Sequence, residues 1–422
     1  MEPALPSLPS FSTPHLALST SDAIHHPVST LLGWFILLVI GRQVFTLWLV
    51  ERYVVNSGSM YPALVGIHCQ THCDACGRDY QIGLDAPAGD LQRAICPECG
   101  AAGKTIESLP VLNGDRVWID KGAYYWREPR RWEVIAFRSP SRAAQVHVKR
   151  IVGLPGESIQ IRNGDIYING EIAERSFEQV RAMSLLVYES QRQPPQDTGH
   201  GPHWRTERAN STWQHSQGTW RNDAKEQRGS DPLVFESRRR VPGNPDKSEP
   251  WPVRNLEGYN QTRPNRELFD VVDLWMTGEV RTDAAFDVFT YNQPKKVSPG
   301  NWQLWSRWVD GVEQTWTTAP GDRKSSSDAD PSTFGKPAPS ATPFRIAPSG
   351  PIELRGLRVY RDIYYTAPVA LDAALAIAQP YQLGPDEYFV LGDNSTAAVD
   401  SRYPSYGPVK EEWLVGKPIL PR

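Results

Sequence analysis

Two serines flank a glycine in Asn56-Ser57-Gly58-Ser59-Met60-Tyr61-Pro62-Ala63-Leu64, directly after an apolar stretch. Glycine lets the backbone bend there, which suits an exposed nucleophile, although a polar turn is the ordinary use of such a triplet. A serine that opens a peptide bond needs a base for its proton, donors for the oxyanion and a water for deacylation. His147 is the only histidine near a motif. Lys149, in Val148-Lys149-Arg150, could also serve if its amine were neutral. Burial would have to lower its pKa from about 10.4 toward about 7–8, roughly 4 kcal/mol of differential interaction. An acidic turn, Gly392-Asp393-Asn394, and Asp400-Ser401-Arg402 lie far downstream. Asp400 and Arg402 fall on one side of an extended chain, where each could reach a neighbouring strand; as a surface ion pair they would contribute only about 0–1 kcal/mol.

A second group of reactive residues is sulfur. Cys73-Asp74-Ala75-Cys76-Gly77 and Cys96-Pro97-Glu98-Cys99-Gly100 are two C-x2-C-G knuckles at zinc-ribbon spacing. Cys73, Cys76, Cys96 and Cys99 are expected to hold one tetrahedral zinc, with disulfides or idle thiols as the rival reading in an oxidising compartment. Four protein ligands leave no open position, so no zinc catalysis is expected, and Cys69 reads as a spare thiol.

These residues need elements to place them. Residues 1–27 hold no Lys or Arg and are rich in Pro, Ser and Thr, which reads as a disordered tail. The apolar run 28–50 is long enough for one transmembrane helix, with Arg42 able to snorkel near one end. A cleavable leader is disfavoured by the missing basic n-region. From 109 to 176 the pattern is β: strands are expected at 111–112, 116–120, 133–137, 146–152, 159–161 and 165–168. Asn163-Gly164 and Asn169-Gly170 signal type I′ hairpins. Periodicity alone does not tell which face of its strand Lys149 takes. Between 177 and 355, connectors at about 191–202, 223–250 and 319–343 separate tryptophan-rich patches, and alternation suggests an inserted β-sandwich with its aromatics in the core. Glu387-Tyr388-Phe389-Val390-Leu391 reads as a strand running into the acidic turn.

Ser57-Gly58-Ser59-Met60-Tyr61-Pro62, Gly114-Asp115-Arg116-Val117, the run from Lys149 to Glu157, and Gly392-Asp393-Asn394 through Asp400-Ser401-Arg402-Tyr403 together resemble the ordered motifs of bacterial type I signal peptidases. The resemblance covers two blocks, roughly 28–64 and 110–175, and a tail from about 380. It implies a membrane-bound serine endopeptidase that cleaves signal peptides from precursors with small residues at −3 and −1. Ser59 would be the nucleophile and Lys149 the general base. The Ser59 amide and Ser57 hydroxyl would form the oxyanion hole, and Asp393, Asp400 and Arg402 would support the site. It implies no catalytic cofactor, and it places the bulk of the chain outside the cell membrane. Three positions depart from the pattern: Ala398 replaces a lysine-orienting serine, Asn56 replaces proline, and Pro404 follows Tyr403 where tryptophan is common. The first leaves open a catalytically weak or inactive membrane-anchored binding protein built on the same core. A self-cleaving regulator would use the same chemistry but lacks a DNA-binding segment here.

The expected fold class is therefore mainly β: an antiparallel barrel-like or coiled-sheet catalytic core behind one N-terminal transmembrane helix, with an inserted zinc ribbon and an inserted sandwich-like domain. The segments are 1–27, 28–50, 51–66 with the serine, 67–108 with the ribbon, 109–176 with the lysine, 177–355 inserted, and 356–422 returning to the core. The chain is long enough for several cores. Lys plus Arg number 45 against 48 Asp plus Glu, a net charge of −3 with no basic stripe, so nucleic acid is not an expected partner. Precursor proteins and the lipid bilayer are.

Overall fold

The computed structural model describes residues 27–44, 49–84, 93–138, 145–192, 203–223, 231–241, 244–255, 258–262, 268–282, 286–290, 293–297, 300–309, 312–318, 325–326, 340–368 and 374–420. Residues 1–49 form one unit and 50–422 another. The expected tail at 1–27 lies, but for Pro27, outside the described residues.

Helix α1 spans Pro27–Val44, shorter than the 28–50 expected. Among the described residues no helix is long and apolar enough to cross a membrane. Residues 45–48 lie outside the described residues, and from Val50 the chain is a strand, pairing Val50–Val54 with Arg116–Asp120, so the amides from there on do not serve a helix. Along α1 the apolar side chains Leu31, Trp34, Phe35 and Leu38 are exposed.

The unit from Val50 onward is mainly β. One seven-stranded antiparallel sheet runs in the order Val50–Val54, Arg116–Asp120, Leu414–Ile419, Val134–Arg138, Val146–Gly153, Glu387–Leu391, Val409–Lys410. Chain ends and middle are thus interleaved, and the lysine strand Val146–Gly153 lies beside the strand that leads to Asp393. A four-stranded sheet holds Ser158–Arg162, Asp165–Ile168, Glu171–Ile172 and Tyr381–Gln382. Both Asn-Gly turns have positive φ at both residues (49° and 89°, 53° and 88°), as a type I′ turn requires. Val152, Phe389 and Leu391 from the first sheet pack with Ile159, Ile161 and Ile166 from the second.

Within 177–355, an eight-stranded sheet and a five-stranded sheet share one core. Trp213, Trp220, Met276 and Leu354 of the first meet Trp204, Phe235, Val288 and Phe344 of the second, which is a sandwich. The stretch expected as a connector at 223–250 instead contains Leu233–Phe235, inside the five-stranded sheet, and a hairpin of Arg238–Val241 with Asn244–Pro250. Ladder hydrogen bonds form without apolar alternation, so polarity alone misread that stretch. The cysteine segment makes two hairpins, His68–His72 with Asp79–Gly83 and Arg93–Ile95 with Ala102–Thr105, each turning at a knuckle.

Phe389 is fully buried between the two catalytic-side sheets. Phe389→Ala should lower the free energy of unfolding by about 3–5 kcal/mol through lost burial and a residual cavity. Denaturant melts of the two proteins measure this, and a loss below 1 kcal/mol would contradict the packing described.

Candidate active site

The Ser59 segment leaves its strand at Val54 and forms a single 3-10 turn, Gly58–Met60, closed by the Tyr61 amide donating to Gly58 O (3.1 Å). Met60 and Leu64 anchor the turn in an apolar cluster with Val117 and Val134. The Gly114-Asp115-Arg116 motif clips it from the side. Val55 N donates to Asp115 O, Asp115 N to Val65 O, and Val65 N to Asp115 Oδ2 (2.9, 2.9 and 2.8 Å).

Lys149 enters from the lysine strand, and its Nζ lies 2.7 Å from Ser59 Oγ. It also donates to Val148 O at 3.3 Å. Both side chains are buried: Lys149 is 5% exposed and Ser59 8%. Burial pushes the Lys149 amine down to about 8, against the opposing carboxylates of Asp400 and Asp393 and with the Arg402 guanidinium assisting. Ser57 Oγ donates to Ser59 Oγ at 3.3 Å. The two residues share a cleft of about 720 Å³ lined also by Asn56, Met60, Val117, Val148 and Val399. His147 pairs its Nδ1 with the Tyr406 hydroxyl at 2.9 Å and stacks on that ring, so its Nδ1 is engaged away from Ser59.

Asp393, Asp400 and Arg402 are fully buried, unlike a surface pair. Asp393 receives both Nε and Nη2 of Arg150 (2.7 and 2.6 Å), tying the acidic turn to the residue next to the lysine. Asp400 receives Nε and Nη2 of Arg402 (2.8 and 2.7 Å) and the Gly392 amide (3.0 Å). Arg150 follows the lysine in its motif, and its partner Asp393, 243 residues away, leaves no local signal in the sequence.

Ala398 is buried and offers no hydroxyl to the lysine. Ser395 does not substitute: its Oγ accepts from Arg402 Nη1 (2.7 Å) and from the Thr366 amide (2.9 Å). The backbone carbonyl of Val148 is the remaining acceptor for the amine. Asn394, which the sequence reading left without a role, donates its backbone amide to Ser59 O (3.1 Å) and its side-chain amide to Gly58 O (2.9 Å).

At the knuckles, the four sulfurs of Cys73, Cys76, Cys96 and Cys99 lie within 4.8 Å of one another, and all four residues are buried. The Cys73–Cys99 and Cys76–Cys96 sulfurs are each 3.6 Å apart, far beyond a disulfide and close to the edge of about 3.8 Å in a tetrahedron with Zn–S bonds of about 2.3 Å. Gly77 and Gly100 take φ of 76° and 70° to donate back to Cys73 O and Cys96 O. These residues fit a structural metal. Cys69, buried nearby, stays outside the group.

Residues 106–221 and 359–421 match the family described as "Signal peptidase, peptidase S26". The chain is 34% identical over 79 residues to "Signal peptidase I" of Leptolyngbya laminosa, covering 17% of this chain and 39% of that one. It is 39% identical over 62 residues to "Signal peptidase I" of Rickettsia prowazekii (15% and 24%), and 34% identical over 68 residues to "Probable signal peptidase I-2" of Synechocystis (15% and 31%). The chain therefore spans well under half the length of these relatives. Ser59 falls outside the two segments that match the family, and the geometry brings it to the lysine inside the first of them. Over those segments the chain is similar to the signal peptidase family, peptidase S26.

Proposed function

We propose that this chain is a membrane-bound serine endopeptidase that removes signal peptides from secreted precursors with a Ser59/Lys149 dyad. The observation that carries the reading is the 2.7 Å approach of a buried amine, lowered to about 8, to the Ser59 hydroxyl. At its neutral state Lys149 accepts the Ser59 proton as Oγ bonds to the scissile carbonyl carbon. The carbonyl π electrons move to oxygen, which the Ser59 amide and Ser57 hydroxyl stabilise. Collapse breaks the C–N bond, and Lys149 returns its proton to the leaving amine. Lys149 then takes a proton from water as hydroxide attacks the acyl-enzyme, and Ser59 recovers its own. Asp393, Asp400 and Arg402 take no proton; they hold the closing turn against the lysine strand.

Val146–Val148 pair with Val134–Arg138 on one side, and among the described residues no strand pairs the other. An extended precursor segment could add there, running past Ser59. The apolar cleft wall (Met60, Val117, Val148) suits small side chains at −3 and −1. Attachment through the exposed apolar face of α1, with the catalytic unit on the outer side of the cell membrane, would raise the effective concentration of a precursor held in the same bilayer. The segments 51–66, 109–176 and 356–422 would form the catalytic core, 67–108 a zinc ribbon, and 177–355 an inserted domain. The four cysteines would hold zinc as a structural ion, which supplies folding stability and no open coordination site. A catalytically weak protein is the second reading, and the absence of a hydroxyl at Ala398 favours it.

Ser59→Ala and Lys149→Ala should each abolish cleavage of a secretory precursor while the protein keeps its melting temperature; undiminished cleavage by either variant refutes the dyad. For the wild type, kcat/KM should rise with pH and reach half its plateau near pH 8, because only the deprotonated amine accepts a proton. At pH 7.5 about a quarter of the amine is then neutral, against about one in a thousand for an unshifted lysine. A profile flat from pH 6.5 to 9 rejects lysine as base. Elemental analysis of the full chain should find one zinc, lost in the Cys96→Ser/Cys99→Ser variant. Zinc-free protein with thiols oxidised in pairs would reject the ribbon.

A further inference from the structure

The loop 258–262 leaves the long segment between the lysine and acid blocks and reaches the nucleophile turn. Tyr259 is buried and stacks on Tyr61, ring centroids 4.5 Å apart. Its ring lies so close to the backbone of Gly58 and Gly83 that a Cβ on either would collide with it. The Tyr259 hydroxyl donates to Ile67 O at 3.2 Å. Gln261 takes the Ile95 amide on its Oε1 (2.6 Å) and donates to Ile95 O (3.3 Å), so the loop also grips the residue before Cys96.

The central contact is an amide pair. Asn260 Nδ2 donates to Asn394 Oδ1 (2.6 Å), and Asn394 Nδ2 donates to Asn260 Oδ1 (2.8 Å). Asn260 Nδ2 also donates to Thr396 Oγ1 at 3.0 Å. Both asparagines are buried, at 3% and 0% exposure, so water does not compete. Gly58 O can only accept, so it draws the Asn394 NH2 toward itself, and the reciprocal pair with Asn260 holds Asn394 in that orientation. With the Asn394 amide on Ser59 O, both carbonyls of the Gly58-Ser59 pair are then held.

We propose that Asn260 is a positioning residue for the nucleophile. It acts through Asn394 to fix the turn that aims Ser59 Oγ at Lys149, so the segment 177–355 completes the active site. The proposal rests on the Ser59/Lys149 reading. It explains why an asparagine outside both matched segments is buried against one inside them.

The test uses the full chain in detergent micelles and a precursor peptide with alanine at −3 and −1, under single-turnover conditions with enzyme in excess. Asn260→Ala should lower the saturating rate 10- to 100-fold, the scale of a nucleophile displaced by a fraction of an ångström to an ångström. The enzyme concentration at half-saturation should stay within twofold. Asn260→Asp, isosteric but without the donor toward Asn394 Oδ1, should be impaired to a similar degree. Ser190→Ala, which removes a buried hydroxyl bond to Gly218 O elsewhere in the segment, should keep the wild-type rate. A merely structural role would reduce the reacting fraction and leave the saturating rate unchanged; that result overturns the proposal. Amide exchange supplies a readout independent of cleavage: Asn260→Ala should speed exchange in 57–64 and leave 203–223 unaltered. If the wild type cleaves no better than Ser59→Ala, the peptidase reading falls. Unchanged protection of 57–64 then overturns the positioning role on its own.

Discussion

A lysine amine kept dry beside a serine hydroxyl is the constraint on which the rest depends. A solvated amine near 10.4 would be almost wholly protonated at neutral pH and could take no proton. Lowering it to about 8 is worth roughly 3 kcal/mol at 1.36 per pKa unit, and burial supplies that against two opposing carboxylates. A lone carboxylate at about 8 Å would favour the charged amine by about 2 kcal/mol at an effective dielectric of about 20. Such a group would undo most of the shift. Asp393 and Asp400 pull in that direction but burial outweighs them, and each is paired bidentately with an arginine, Arg150 and Arg402. The two ion pairs brace the turn, and the Arg402 guanidinium offsets part of the pull that the carboxylates exert on the lysine. Their value lies in specification, since buried pairs of this kind contribute uncertainly to stability.

Rigidity around the serine comes from backbone bonds supplied by distant segments. Asp115 clips the chain on both sides of the turn, and Asn394 holds the carbonyls of Gly58 and Ser59. The lysine strand is fixed by its neighbours in the seven-stranded sheet. Serine and lysine are therefore aligned by two separate frameworks that meet at the acidic turn, and Arg150–Asp393 is the joint between them. A short hydroxyl–amine approach needs both frameworks at once.

The residues of the site were legible as types at ordered spacings: Ser59, Lys149, Asp393 and the Asp400/Arg402 pair needed no geometry to be singled out, and four cysteines in two knuckles announced their own cluster. The strands flanking Asn163-Gly164 and Asn169-Gly170 were legible for a local reason, since the turn residues fix φ. What escaped the sequence was whatever depends on distance along the chain. The face taken by Lys149 is hidden because its strand is buried from position 149 onward on both sides, which erases the period-two signal. Arg150 and Asn260 find partners 243 and 134 residues away. Hydropathy carries the apolar run, interrupted by Arg42-Gln43, on to Val50 and cannot see the strand pairing that claims Val50.

The missing hydroxyl at Ala398 bears on how an amine is aimed. A neutral lysine base must point its lone pair at Ser59, which it can do only if its two N–H bonds are directed elsewhere. One has an acceptor in the Val148 carbonyl, on the lysine's own strand. That acceptor cannot drift relative to Lys149, whereas a side-chain hydroxyl on the opposite loop could. Among the described residues, Ser59 Oγ and Val148 O are the hydrogen-bond contacts of the amine. With alanine at 398, the amine is oriented by a carbonyl of its own strand and not by a side chain of the facing loop.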